Sequence, residues 1–148
     1  MRSSRPRNLV SSCLCIVLLA PGACRSVDDS GEVCLFPAGE VTDPFDPSML
    51  KPVAFAADVP LLAIALITHS GGERLRDMHC TLERRGDVIH VGTHYRDPPG
   101  DPQDNLQLFR VECSLVGLPA GTYTVVYGND EQTLRVPSSV PPLCFEGE

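Results

Sequence analysis

The sequence predicts an all-β fold, a β-sandwich of about seven to eight short strands stapled by disulfides. Short apolar or alternating runs recur between turn-forming Gly, Pro, Asn and Asp residues, and no run beyond the N-terminal segment has a convincing helical period. A length of 148 residues fits one domain. Four of the seven cysteines lie beyond residue 24, an even number that suits two disulfides in an exported chain.

Eight runs are predicted to be strands. In chain order they are Glu32–Phe36, Pro52–Ala57, Leu61–His69, Met78–Glu83, Val88–Tyr95, Gln107–Leu115, Thr122–Tyr127 and Gln132–Val136. Between the first two, Asp43-Pro44 and Asp46-Pro47 are turn sequences that cannot continue a ladder. The third run is apolar at every position over 61–67, which indicates a central strand covered on both faces.

The later strands follow from alternation and turns. A tight turn over Arg84–Asp87 separates the fourth and fifth runs, and 97–105 is a loop by its Asp and Pro content. The sixth run puts Phe109 and Cys113 on one face and charged residues on the other. A turn at Gly128-Asn129-Asp130 separates the last two runs. Evenly spaced short strands of this kind are typical of a sandwich.

Residues 1–23 are predicted to be a signal peptide. Three arginines make its start basic: Arg2, Arg5 and Arg7. The apolar run Leu9–Ala20 follows and has 12 residues, whereas a membrane-spanning helix needs about 20. We therefore expect an exported protein.

The end of this segment, Pro21-Gly-Ala-Cys24, resembles the lipobox of bacterial lipoproteins, although Pro21 stands where Leu is usual. The resemblance implies cleavage just before Cys24 and attachment of a diacylglycerol to its sulfur. The chain would then be anchored to a bacterial membrane, with the choice between membranes left open. Ordinary cleavage after Gly22 is the alternative.

Residues 24–31 are predicted to be a lipid-anchored tether and 32–148 a single β-sandwich domain, because 25–32 is short and polar. Nineteen acidic residues against twelve basic ones give a formal charge of −7, with no basic cluster in the domain. This charge argues against a nucleic-acid partner.

The alternation also orients the cysteines. Cys80 shares a face with Met78 and Leu82, and Cys113 lies on the apolar face of its own strand. Among three possible pairings we therefore favour Cys80–Cys113 and Cys34–Cys144, the latter near the two ends of the domain. Four buried free thiols are the alternative.

One stretch, Gly117-Leu-Pro-Ala-Gly-Thr-Tyr-Thr-Val125, resembles the signature of prealbumin-like sandwich modules, such as carboxypeptidase-regulatory-like domains and adhesin repeats. Fibronectin-type domains have a related Leu…Tyr corner with one more residue between. The resemblance implies an Ig-like or prealbumin-like sandwich in which Tyr123 packs into the core. Such modules are spacers or binding platforms and offer no catalytic residues to transfer.

Three histidines, His79, His90 and His94, are the candidate metal ligands. With Arg85-Gly86 as the hairpin loop, Thr81 would face His90 and His79 would face Gly92, and all three imidazoles would share one outer face. Imidazoles so arranged could bind zinc or copper, although scattered surface residues give the same pattern. No cofactor motif is present, and none is expected.

Three other motifs are weaker. The acidic loop residues Asp43, Asp46, Asp97, Asp101 and Asp104 lack calcium-loop spacing and are better explained as solvated turns. Arg85-Gly86-Asp87 is a tripeptide that integrins bind, but a chance turn explains it. His69 and Ser70 are adjacent on a strand and therefore point to opposite faces, which disfavours a nucleophile–base pair.

The sequence predicts a non-enzymatic lipoprotein of the cell envelope, a binding or structural sandwich whose ligand stays open. The alternative is a periplasmic or surface protein that binds metal through the histidine face.

Overall fold

The computed structural model describes residues 25–39, 51–70, 75–97 and 106–147, and this part of the chain is built from strands without helices. Eleven strands follow one another: β1 (Arg25–Asp28), β2 (Glu32–Pro37), β3 (Val53–Phe55), β4 (Leu61–Ser70), β5 (Arg76–Arg85), β6 (Val88–Asp97), β7 (Leu106–Leu115), β8 (Gly121–Tyr127), β9 (Asp130–Val136), β10 (Ser138–Val140) and β11 (Leu143–Glu146). Within these ranges no helix is long and apolar enough to cross a membrane.

Two main sheets form the fold. Sheet A contains β1, β5, β6, β8 and β9, and sheet B has the order β11-β2-β4-β7. In sheet A, β5 pairs along most of one edge of β6. The other edge of β6 is shared by β8, which is parallel to it over 88–91, and by β1, which is antiparallel over 94–97. A separate pair of strands, β3 and β10, contributes buried Val53 and Phe55 to the hydrophobic core between the two sheets.

The main core lies between the inward faces of the two sheets. Its fully buried members from sheet A and sheet B include Ile89, Val125, Leu134, Val33, Leu35, Ala63 and Ala65. Each such Leu, Ile or Val contributes about 1.5–3 kcal/mol to the free energy of unfolding relative to an exposed side chain. The facing apolar surfaces therefore explain why the alternating strands associate as two layers.

All eight runs predicted as strands are strands, with ends shifted by a few residues. The predicted number of strands was wrong, because β1, β10 and β11 were not anticipated. Each of these has only three or four residues, too few for alternation to be recognised. Residues 25–28, expected within a tether, instead pair with β6 as β1.

The central strand β4 is buried along one face and at the middle of the other, on which Leu62 and Leu66 are half-buried, so the predicted burial of both faces is confirmed in part. Ala63, Ala65 and Ile67 are buried on one side, and Ile64 is buried on the other beside Cys34. Because β4 pairs with β2 and β7, neither of its edges is free. This double burial explains why its sequence lacks polar alternation.

Two disulfides are present, in the pairings that the sequence favoured. Cys34 and Cys144 are directly opposite on β2 and β11, with Cα atoms 4.1 Å apart, so this bridge lies within sheet B. Cys80 and Cys113 join β5 of sheet A to β7 of sheet B across a Cα–Cα distance of 5.6 Å. One bridge therefore reinforces a sheet, and the other joins the two sheets.

Tyr123 of the Leu118–Val125 segment packs into the core. Tyr123 is 3% exposed, and its hydroxyl donates to the carbonyl oxygen of Pro119 at 2.8 Å. Gly117 is needed because a Cβ there would lie 2.1 Å from the backbone carbonyl carbon of Asp58. The segment therefore anchors the start of β8 to the 57–60 turn.

Candidate functional site

The outer face of sheet A carries the three candidate histidines. His79 on β5 and His90 and His94 on β6 line one surface hollow of about 440 Å³, which we call the sheet A hollow. Its other lining residues are Asp28, Asp29, Thr81, Glu83, Arg85, Val91, Gly92, Thr93, Val126 and Gly128. The structure thus places all three imidazoles around the same hollow, although at different distances from one another.

The expected register of the β5–β6 hairpin was wrong by two residues. The loop is Gly86-Asp87 rather than Arg85-Gly86, so Arg85 pairs with Val88. Gly86 has φ of 64°, the positive value that a type II′ turn requires at its first loop residue. A shift of two residues keeps every side chain on its face but changes its partner.

The new register brings two histidines directly opposite each other. His79 faces His94, with ring centroids 5.0 Å apart, while His90 faces Glu83 instead of Thr81. Thr81 faces Gly92, which separates His90 from His94 along β6. The site is therefore a close His79–His94 pair with His90 further along the hollow.

A β-bulge positions His79. The β5–β6 register shifts between Arg76 and His79, and Asp77 within this bulge has φ of 52°. Its carbonyl oxygen lies 2.9 Å from Nδ1 of His79. Because a carbonyl oxygen only accepts hydrogen bonds, Nδ1 must carry the proton, and the neutral ring presents the lone pair of Nε2.

His94 is oriented in the same way by a different group. Its Nδ1 forms a short contact with Oδ1 of Asp28, which lies directly opposite on β1. An ionised carboxylate also only accepts, so Nδ1 of His94 carries a proton, and in the neutral ring Nε2 holds the lone pair. Both facing imidazoles thus have one nitrogen held by an oxygen acceptor, the arrangement that orients metal-binding histidines.

The hollow exists because position 92 has no side chain. A Cβ on Gly92 would lie 2.8 Å from Oγ1 of Thr81 and 3.5 Å from Oδ1 of Asp29. That carboxylate oxygen accepts a hydrogen bond from the backbone N–H of Thr93 at 3.2 Å. Gly92 therefore forms the floor of the hollow, and Asp29 is fixed beside it.

The hollow is polar and of mixed charge. The carboxylates of Asp28, Asp29 and Glu83 line it together with Arg85, whose Nη2 atom lies 3.2 Å from Oε2 of Glu83. Across 25–39, 51–70, 75–97 and 106–147, no group of three or more His, Cys, Asp or Glu side chains is arranged to hold a metal ion. The histidine pair thus offers two nitrogen ligands rather than a complete metal centre.

His69, on β4, is separate from the hollow. Its Nε2 lies 3.0 Å from Oδ1 of Asp97, and its ring meets Tyr95 edge-on with centroids 6.3 Å apart. This contact links β4 of sheet B to the end of β6 in sheet A.

Several residues singled out in the sequence lie outside the described part of the chain. They are Asp43, Asp46, Asp101 and Asp104 of the acidic loops and Cys24 with the signal segment, and the side chain of Ser70 is likewise not described.

Asp28, Asp77 and Gly92 were not identified from the sequence as parts of this site. Asp28 was placed in the tether, and only the pairing of β1 with β6 brings it to His94. Gly92 interrupts the alternation of β6, and an isolated Gly within a strand is a signal for close backbone or ligand approach. That signal was available in the sequence.

Comparison with known proteins adds no relative: no family model, no curated protein and no solved structure matches the chain.

Proposed function

We propose that this protein is an exported lipoprotein of the bacterial cell envelope, a non-enzymatic β-sandwich anchored by a lipid on Cys24. The observation that carries the proposal is the complete pairing of the four cysteines beyond Cys24 in two disulfides. Disulfides persist in oxidising compartments outside the cytosol. Since Cys13 and Cys15 lie within the predicted signal peptide, Cys24 alone is left to carry a diacylglycerol.

The fold supports a role as a binding or structural module. The hydrogen bond from Tyr123 to Pro119 and the burial of Leu118 agree with an Ig-like or prealbumin-like sandwich, the fold that the Leu118–Val125 signature resembles. Among the described residues, every cysteine is in a disulfide, so no thiol nucleophile is offered there. The sheet A hollow is the surface to which we assign ligand binding.

Mass spectrometry of the protein isolated from its native membrane tests the anchor. We expect a mature N-terminus at Cys24 that carries a diacylglycerol. The Cys24→Ala variant, which keeps every other residue, should carry no lipid. A wild-type chain that starts at Ala23 without added mass would contradict the proposal.

A second candidate function is metal binding by the His79–His94 pair. The favouring observation is that both Nδ1 atoms are held by oxygen acceptors, so both Nε2 atoms can ligate zinc or copper. Solvent or a carboxylate would have to complete the coordination of the metal.

Calorimetric titration of the purified protein with zinc or copper, together with elemental analysis, tests this second function. His79→Ala and His94→Ala should each weaken binding by at least about tenfold, because each removes one ligand. His90→Ala is the matched control, since His90 faces Glu83 rather than the pair. Absence of bound metal and of any heat of binding would eliminate this function.

A further inference from the structure

The chain passes directly from Cys24 into the first strand of sheet A. β1 begins at Arg25, which lies opposite Asp97, the last residue of β6. One peptide unit spans only about 3.8 Å between Cα atoms. A diacylglycerol on Cys24 would therefore hold this end of sheet A at the lipid headgroups, with no flexible tether between the bilayer and the domain.

The same end of the sandwich includes the start of β7. His69 of β4 contacts Asp97 of β6, with Nε2 3.0 Å from Oδ1, so the ends of these two strands, one from each sheet, lie side by side. Within sheet B, His69 pairs with Gln107 of β7. The first residues of β7 therefore lie where Arg25 begins β1, and we call this the anchor end.

Two exposed apolar side chains lie at the anchor end. Leu106, the first residue of β7, is 75% exposed, and Leu108 is 63% exposed. Val111 and Cys113 of the same strand pack against the core, so by alternation the two leucines lie on the outward face of sheet B. Neighbouring exposed apolar side chains mark an interaction surface.

The described carboxylates at the anchor end are paired. Oδ2 of Asp77 lies 3.3 Å from Nε of Arg96, and Asp97 is bonded to His69. Arg25 is exposed beside them. Because a charge without a partner is costly to move out of water, paired carboxylates oppose contact with a bilayer less than free ones would.

The opposite end of β7 provides a contrast. Val116 directly follows β7 and is 79% exposed, so it resembles Leu106 in character and in exposure. Ten residues of extended chain separate the two positions, or about 33 Å at the usual rise per residue. A domain that stands on its anchor end would bring Leu106 to the headgroups and keep Val116 away from them.

We propose that the anchor end of the sandwich lies on the bilayer surface, with Leu106 and Leu108 in contact with the headgroup region. The proposal rests on the proposed lipid on Cys24, because that lipid supplies the attachment while the two leucines fix the orientation of the domain. The far end of β7, with Val116, then points away from the membrane.

Single tryptophan reporters test the proposal, because the chain contains no tryptophan of its own. Leu106→Trp, Leu108→Trp and Val116→Trp are prepared as the full lipidated chain. Each is reconstituted into vesicles of phosphatidylethanolamine and phosphatidylglycerol, with and without lipids brominated near the headgroup end of their acyl chains. Mass spectrometry of each sample records whether Cys24 carries the diacylglycerol.

Bromine quenches a nearby fluorophore, so quenching should decrease in the order of the three positions along β7. Quenching of Leu106→Trp should exceed that of Val116→Trp by at least about twofold, since apolar groups at a membrane interface are buried about 5–10 Å. Leu108→Trp should fall between them. Val116→Trp is the matched control, an exposed apolar residue at the other end of the same strand.

The outcomes separate the membrane contact from the anchor. Lipidated samples in which all three reporters are quenched equally, or none is quenched, would overturn the contact and leave the anchor standing. Emission from Leu106→Trp at shorter wavelength without quenching would also overturn the contact, because protein rather than lipid would then cover the residue. A chain without lipid on Cys24 would overturn the anchor and the contact together.

Discussion

Two of the links that hold the two sheets together differ in their chemistry. At β5 and β7, the Cys80–Cys113 disulfide joins the sheets covalently. Where the chain passes from β1 in sheet A to β2 in sheet B, the hydroxyl of Tyr127 on β8 donates to the carbonyl oxygen of Ser30 at 2.8 Å. The first link acts largely by restricting the unfolded chain, and the second stabilises the folded chain while its polar groups stay partnered.

The hydrogen-bonded link is a small buried network. Oγ1 of Thr93 lies 3.0 Å from the Tyr127 hydroxyl and 3.1 Å from the Ser30 carbonyl oxygen. Tyr127 is 1% exposed, and its ring meets Phe145 of sheet B edge-on at 6.2 Å. The two links should therefore be disturbed by different treatments. A reductant breaks the disulfide, and high pH ionises the tyrosine.

Removing the covalent link should have the larger effect. The Cys80→Ala/Cys113→Ala variant opens a loop of 33 residues, and the chain-entropy relation gives a loss of about 3–4 kcal/mol in the free energy of unfolding. Urea unfolding monitored by circular dichroism measures it.

The Cys34→Ala/Cys144→Ala variant is the matched comparison. Its bridge lies within sheet B but closes a loop of 110 residues, so the same relation gives a loss of about 4–5 kcal/mol. If the bridge between the sheets proved the costlier one to lose, restriction of the unfolded chain would not be the main source of stability.

Removing the hydrogen-bonded link should have an intermediate effect. Tyr127→Phe deletes the hydroxyl but leaves Thr93 bonded to Ser30, so we expect a loss of about 1–2 kcal/mol in the free energy of unfolding at neutral pH. Urea unfolding of the variant beside the wild type measures it. A loss equal to that of either disulfide variant would contradict the ranking.

The same residue predicts a pH dependence. Burial raises the pKa of Tyr127 from 10.0 to about 12, with the hydrogen bond from Thr93 opposing the shift. Below pH 10 the phenol is neutral in both states and its contribution is complete. Between pH 10 and 12 the unfolded chain ionises first, so the wild type should lose up to about 2–3 kcal/mol that Tyr127→Phe does not lose.

Tyrosinate absorbance during alkaline titration provides the control for this pH dependence. The difference between the wild type and Tyr127→Phe isolates one phenol, and its midpoint should lie near pH 12 in the folded protein. An ordinary midpoint near 10 would show that burial does not oppose ionisation at this position.

The sequence predicted the covalent link far better than the hydrogen-bonded one. Alternation in β5 and β7 placed Cys80 and Cys113 on inward faces, which was enough to favour their pairing. Nothing local marks Ser30 as a partner of Tyr127, because the two are separated by 97 residues and meet only through the topology of sheet A.

The candidate site was predictable from the sequence only in part. The period of the strands placed His79, His90 and His94 on one face, and the structure has them on one hollow. Which imidazoles meet depends on the loop, and both Arg85-Gly86 and Gly86-Asp87 contain the Gly that a tight turn needs. The two choices differ by two residues in register. Alternation of the residues assigns each side chain to a face but does not fix its partner, so it cannot distinguish them.

The smallest effect should come from the exposed contact that also holds the 28–31 segment. The side chain of Asp28 is 68% exposed and that of His94 is 30% exposed, so water competes with their hydrogen bond. Asp28→Asn should therefore lower the free energy of unfolding by no more than about 0.5 kcal/mol, the scale of surface pairs. Urea unfolding of Asp28→Asn and of Tyr127→Phe, measured side by side, compares the exposed Asp28–His94 contact with the buried Tyr127–Ser30 contact. A loss as large as that of Tyr127→Phe would mean that the Asp28–His94 contact, and not the buried network, fixes this segment to sheet A.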